Sequence, residues 1–312
     1  MALLVVVGPT GSGKTELAVQ LAEHLGGEVV SADSVQLYRG FDIGSGKPTS
    51  EELARAPHHL VGTVEPLAPM DAARWAELAE AAIHEIRGRG KVPIVCGGTF
   101  LYVRALLFGL APAPPADDGV RERHRRIAEQ DGRCALYDRL RRVDPVTALR
   151  LDPNDLVRVS RALEVYELSG VPMCEWQSRH GFREPRHAAR LLGVGLPRDE
   201  LNQRISRRVE GMLNAGWVEE VRGLIAAGYR QARAMQAVGY RQVAAALEQP
   251  GDVDQEAIEE AICRATRIYA RRQRTWLRRQ PVQWIEPGTE IDVLANSLEA
   301  NGDSPRRVEG ST

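Results

Sequence analysis

Five consecutive apolar residues, Leu3–Val7, give way to the glycine-rich stretch GPTGSGKT and then to Leu17, Ala18, Leu21, Ala22 and Leu25 at helical spacing. An unbroken apolar run ending in three β-branched valines predicts a strand buried on both faces, and the periodic run after it an amphipathic helix. The chain therefore opens as strand, loop and helix. A second short strand is expected over Glu28–Ala32, ending at Asp33. Trp75, Leu78, Ala79, Ala82, Ile83 and Ile86 mark a helix closed by Gly88–Gly90, and Pro93–Cys96 reads as a third strand closed by Gly97 and Gly98. Alternating strands and helices predict an α/β fold built on a parallel sheet.

That alternation stops at APAPP, residues 111–115, and about seventy residues with helical patterning alone follow, arginine-rich over 121–142. Within them Pro153-Asn154-Asp155 precedes a helix whose Leu156, Val159, Leu163 and Tyr166 share one face, with Gly170 and Pro172 as its stop. Strand character returns over Leu191–Leu196 and Val282–Ile285, with helices between. The expected organisation is an α/β core beginning at 1–114, a helical insertion at 115–188, a return of the core at 189–300 and a disordered tail at 301–312.

Composition narrows the function classes. With 312 residues, 43% apolar and 27% charged, the chain is ordinary globular material, and its longest apolar run falls far short of the ~20 residues that cross a bilayer. Cys96, Cys134, Cys174 and Cys263 are too scattered for a zinc site or a disulfide framework, which suits a reduced, cytoplasmic chain, expected as a monomer. The net charge of −1 conceals an unusual basic set, because Lys14, Lys47 and Lys91 are the only lysines among 41 basic residues.

Lys14 belongs to the most informative segment. Gly8, Pro9, Thr10, Gly11, Ser12, Gly13, Lys14 and Thr15 match G-x-x-x-x-G-K-[ST] in full, directly after a strand and before a helix. Glycines let the backbone N–H groups wrap inward, the helix adds its positive dipole end, Lys14 supplies an ammonium and Thr15 a hydroxyl for Mg2+. A di- or triphosphate ligand follows, and the core is expected to be P-loop NTPase-like. A second GSGK at 44–47 has Phe41 where the first glycine belongs and reads as a surface loop, with Lys47 as a rim charge. The strand at 93–96 carries no acid at its end, where a nucleotide hydrolase normally places a Mg2+ ligand. Asp33, beside the loop at the carboxyl end of the sheet, is left as either a metal ligand or a general base.

GPTGSGKT, SADSVQLYRGFDIGSGKP at 31–48, GGTFLYVRAL at 97–106, DPNDLVRVSRALEVYELSG at 152–170, AVGYRQ at 237–242 and ATRIYARRQRTWLRR at 265–279 together resemble the tRNA dimethylallyltransferases, of the bacterial type. The resemblance runs in order through nearly the whole chain. It implies that the loop holds dimethylallyl diphosphate rather than ATP. It also implies that the acceptor is the exocyclic amine of the adenosine at position 37, 3′ of the anticodon, in tRNAs reading codons that begin with U. Its expected partners are a tRNA anticodon stem-loop and dimethylallyl diphosphate, with Mg2+ as cofactor. It further implies tRNA contacts at Asp33, Ser34, Val35 and Gln36, at Val157, Arg158, Val159, Ser160 and Arg161, and at Val238, Gly239 and Tyr240, with Arg121 near the flipped base.

Such a reaction needs donors at the leaving oxygen and a proton acceptor at the amine. Thr99 suits the first role and Asp33 the second, while Arg204 and Arg208, at i and i+4, share a helix face that either clamps the diphosphate or pairs with Glu200. Arg264, Arg267, Arg271, Arg274 and Arg278 step by three and four into one stripe roughly 20 Å long, expected to meet RNA phosphates, with Arg267, Arg271 and Arg274 central. His58 and His59 read as loop-to-strand residues rather than metal ligands, and Cys96 as buried. Trp217, Trp276 and Trp284 read as core. Prenylation of free AMP, a P-loop small-molecule kinase and a nucleotide switch on RNA are the rival functions.

Overall fold

The computed structural model describes residues 2–181, 184–251, 253–286 and 289–300, so the tail expected to be disordered lies outside them. The chain forms two compact units, one from the residues up to 108 and from 185 onward, the other from residues 109–184. In the first unit the chain runs β1 (Leu3–Val7), α1 (Lys14–Leu25), β2 (Gly27–Ser31), α2 (Ser50–Arg55), β3 (His58–His59), α3 (Ala72–Gly88), β4 (Val92–Gly97) and α4 (Phe100–Phe108). The second unit holds α5 (Asp118–Gln130), α6 (Arg133–Val143), α7 (Pro145–Ala148), α8 (Leu156–Ser169) and α9 (Met173–His180). The first unit resumes with β5 (Ala189–Val194), α10 (Arg198–Asn214), α11 (Trp217–Ala226), two 3-10 turns, α12 (Tyr240–Leu247), α13 (Gln255–Leu277), β6 (Val282–Ile285) and α14 (Ile291–Ala300).

The sheet is parallel throughout, in the order β3-β2-β4-β1-β5-β6. β1 lies between β4 and β5, and all five of its residues are buried, which is why its sequence shows no alternation. α1 lays Leu17, Ala18, Leu21 and Ala22 onto this core. It begins after Gly13 and ends at Gly26, both in the left-handed region, and the Gly26 N–H closes the last turn on Ala22 O.

The helical unit has its own core of Leu136, Leu140, Ala148, Val159, Ala162 and Leu163. Leu136 and Leu140 are fully buried, each contributing about 1.5–3 kcal/mol of apolar transfer. Asp155 caps α8 by accepting from the Arg158 N–H, and left-handed Gly170 ends it. The unit begins at 109 and ends at 184, where the sequence reading placed 115 and 188. Its proline-rich start belongs to it because Arg161 donates to Pro114 O and the Glu164 carboxylate accepts from the Asp117 N–H. On the return, the Arg186 N–H donates to Leu107 O, which fixes residue 186 in the first unit.

Candidate active site

The loop after β1 bends through Gly11 (φ 80°) and Gly13 (φ 92°), conformations that side chains with a Cβ rarely adopt. Gly8 is required for space instead, since a Cβ there would lie 2.5 Å from Ser12 Oγ. Ser12 Oγ is buried and has no partner among the described residues, an orphaned donor of the kind a ligand oxygen satisfies. Burial holds the Lys14 ammonium below the ordinary lysine range, with Cys96 opposing, Arg208 adding to the depression and Asp33 opposing it. Lys14, Thr15, Ser31 and Asp33 border one small recess at the carboxyl ends of β2 and β4.

Asp33 continues β2 into a turn, its Oδ1 accepting from the Val35 and Gln36 N–H groups at 2.8 and 3.2 Å. This turn orients the carboxyl and leaves Oδ2 without a partner among the described residues. The loop after β4 lies alongside: Thr99 Oγ1 accepts from the Ser34 N–H at 3.1 Å. The Tyr269 phenol borders the same cavity as Asp33, and its acidity is suppressed first by burial and then by the Asp33 charge, with Thr99 and Gln273 opposing. β4 itself ends in Cys96 and Gly97, with no carboxylate.

Gln273, on α13, is a site residue that the sequence reading missed. Its Oε1 accepts from the Thr10 N–H and its Nε2 donates to Gly98 O, both at 2.9 Å. One buried amide thus joins the phosphate loop to the loop after β4. Gly98 makes room for it, since a Cβ there would lie 2.4 Å from Gln273 Nε2.

The two arginines on α10 part company. Arg204 lies beside Gly13 but is paired with Glu200 at 2.8 Å, whereas Arg208 has no hydrogen bond or ion pair among the described residues. Arg208 is pressed so closely to the 44–46 loop that a Cβ on Gly46 would lie 1.8 Å from its Nη2. Burial pulls its pKa down and the Asp33 charge pulls it back.

A cavity of about 290 Å3 extends from Thr10 and Asp33 past Arg208 to Met212 and Trp217. The 44–47 segment is a wall of this cavity rather than a surface loop. Glu220 accepts from the N–H groups of Asp42, Ile43 and Gly44 and from the Tyr240 hydroxyl. The Trp217 indole fits between Gly44 and Gly239, where a Cβ would come within 1.8 and 2.0 Å of the ring. Lys47 is no rim charge: its side chain is 12% exposed and bonded to Tyr38 O and Asp42.

The sequence matches the IPP transferase family over residues 36–280 and the isopentenyl transferase family over residues 1–59. It is 64% identical over 283 residues to the tRNA dimethylallyltransferase of Sorangium cellulosum, covering 91% of this chain and 90% of that protein. The chain belongs to the IPP transferase family. Among solved members, the tRNA isopentenylpyrophosphate transferase of Bacillus halodurans is 35% identical, with a TM-score of 0.70 and 96% of each chain covered. A eukaryotic dimethylallyltransferase solved acting on tRNA is 26% identical, with a TM-score of 0.79 over 99% of this chain and 81% of that one.

The remaining residues that the IPP transferase resemblance singled out divide by burial. In the helical unit Val157 and Arg158 are exposed, but Val159 is in the core and Ser160 is bonded to His124, so neither presents its side chain to an RNA. Arg121 and Arg161 both grip Glu164, which is 0% exposed. Burial alone would raise the Glu164 carboxyl; hydrogen bonds from Arg161, the Asp117 N–H and Arg121 hold it below its usual range. In the first unit Val238 is partly exposed, while Gly239 and Tyr240 are buried. Arg264, Arg267, Arg271 and Arg278 are exposed and Arg274 half-buried; none forms an ion pair among the described residues, and Arg267 donates to Ser206 Oγ. Trp217 is core and Trp276 stacks on Phe100 at 4.2 Å, but Trp284 is exposed, contrary to expectation. Cys96 is buried, and His58 and His59 are strand residues, as their patterns predicted.

Proposed function

We propose that this chain transfers the dimethylallyl group of dimethylallyl diphosphate to the exocyclic amine of the adenosine 3′ of the anticodon, in tRNAs reading codons that begin with U. The observation that carries the reading is a phosphate loop opening onto Asp33 Oδ2, a carboxylate oxygen without a partner among the described residues, with no acid at the end of β4. A hydrolase poised on water needs the second acid; a transferase acting on an amine needs the base. The allylic C–O bond breaks toward the diphosphate, a C–N bond forms at the amine, and the amine proton passes to Asp33. Lys14, Ser12 and the loop N–H groups hold the diphosphate, and Arg208 adds an unpaired cation beside it.

Among the described residues no group of three or more His, Cys, Asp or Glu forms a metal cage. Thr15 nevertheless borders the same recess as Lys14 and offers an oxygen donor to a Mg2+ ion whose shell phosphate and water would complete. Bound there, Mg2+ supplies charge neutralisation for the leaving diphosphate. No helix among the described residues is long and apolar enough to cross a membrane, which suits a cytoplasmic enzyme.

The test is one set of incubations: protein, Mg2+ and labelled dimethylallyl diphosphate with bulk tRNA, AMP or ATP. Label in an adenosine beside the anticodon is the expected result. Label in AMP alone overturns the acceptor assignment, and phosphoryl transfer from ATP without prenylation moves the chain to the kinases.

A further inference from the structure

A second cavity, about 200 Å3, lies at the carboxyl ends of β5 and β6. Two adjacent loop residues face different spaces: Thr10 borders the cavity of Asp33, and Pro9 borders this one. Its other walls are Val194, Gly195, Leu196, Arg274, Arg278 and Trp284.

Trp284 stands in register with Gly193 on β5. A Cβ on Gly193 would lie 2.9 Å from Trp284 Cε3, and one on Gly195 would lie 3.5 Å from it. The six-membered ring therefore rests on backbone where two glycines leave room, and the residue is still 48% exposed. Arg274 and Arg278 stand one helical turn apart, and neither has a carboxylate partner among the described residues. A flat aromatic platform flanked by two guanidinium groups and an apolar edge suits a planar heteroaromatic ring attached to a phosphate.

The same two arginines close the stripe that begins at Arg264 and passes through Arg267 and Arg271, so this cavity sits at the end of a row of cations spaced for a polyanion. That continuity favours a nucleotide within a strand over a free one. We propose that the cavity is a subsite for an unpaired nucleotide of the RNA substrate other than the target adenosine, its base stacked on Trp284 and its phosphate held by Arg274 and Arg278. The proposal rests on the tRNA-modifying reading.

Stacking and charge pairing respond differently to salt, and that separates the two halves of the site. In the full-length protein, Trp284→Ala is expected to weaken tRNA binding roughly 5- to 100-fold without changing the slope of log K against log salt. Trp284→Phe should restore most of the affinity. Arg278→Ala should lower the slope by about 0.7–0.9. Affinity for dimethylallyl diphosphate should stay at the wild-type value in all three. The proposal is overturned if Trp284→Ala, at unchanged thermal midpoint, binds tRNA as the wild type does. It is equally overturned if Trp284→Ala loses tRNA and dimethylallyl diphosphate affinity in parallel, which marks a structural role, or if it loses only AMP or ATP binding, which marks a mononucleotide site. Wild-type protein that labels AMP and ignores tRNA would instead sink the tRNA-modifying reading, a separate result.

Discussion

Replacing Gln273 by leucine preserves approximate volume and removes both hydrogen bonds of a side chain that is 4% exposed. The two backbone groups it abandons differ in access to water. Gly98 is buried, so its carbonyl bears the desolvation cost of an unmade bond, about 1–3 kcal/mol. At roughly 2–4 °C per kcal/mol for a unit of this size, the thermal midpoint should fall by about 2–12 °C. Thr10 borders the main cavity, where water reaches it, so its loss shows in loop geometry rather than in stability. Dimethylallyl diphosphate affinity should drop roughly 5- to 100-fold, the equivalent of one charge-assisted contact misplaced. Gln273→Glu sharpens the test. It keeps an acceptor for the Thr10 N–H but sets a carboxylate oxygen against Gly98 O and adds a negative charge beside the diphosphate site. Glutamate should therefore bind the diphosphate more weakly than leucine at neutral pH. Calorimetric titration and thermal melts of the three proteins give the comparison. If both variants match the wild type, or if glutamate outperforms leucine, the bridging role of Gln273 is refuted.

Asp33→Asn keeps the shape of the turn and should lower kcat by roughly 10²–10⁴-fold with KM little changed; recovery on raising Mg2+ would show a metal ligand in place of a base. Charge-neutral replacement of Arg267 and Arg271 should reduce the salt slope of tRNA binding by about 0.7–0.9 per lost contact, read by filter binding, and leave diphosphate affinity untouched. The Cys96 thiol, pushed up to about 12 by burial, should stay unalkylated by iodoacetamide at pH 8 while exposed Cys134 is labelled, as peptide mass spectrometry would show. The thiolate forms only as pH rises through that value, so moving from pH 7 to pH 9 should leave Cys96 unlabelled.

What the sequence revealed is what short-range rules govern. β1, the phosphate loop and α1 are contiguous, and each is specified by its own residues: apolar run, glycines, helical spacing. The Asp155 cap and the Gly170 stop were legible for the same reason. Gln273 was hidden because its partners lie 263 and 175 residues away, inside a run of arginines that draws attention to charge. A signal existed: Gln273 shares the buried face of α13 with Ile262, Ala270 and Leu277, and an amide on such a face demands partners. The 44–47 segment misled because two glycines in a short polar run read as an exposed loop, whereas they are small to admit Arg208 and Trp217. Glu164 is one of two acids on α8, and only packing showed it at 0% exposure between two arginines. Trp284 fitted an apolar pattern, but β6 is the edge strand, and edges leave one side uncovered.

The indole clasped between Gly44 and Gly239 also restricts how this protein can change over generations. Neither glycine can acquire a methyl group while tryptophan stays at 217, because the added carbon would sit inside the ring's van der Waals radius on either side. A smaller residue at 217 leaves a void beside two bare backbones, and the buried Tyr240 ring loses the edge it rests on. Each single step therefore descends, and a different residue set at these three positions is reached only through simultaneous replacement or through an intermediate stabilised elsewhere. Positions 44, 217 and 239 form one inheritable unit, drawn from three distant points of the chain.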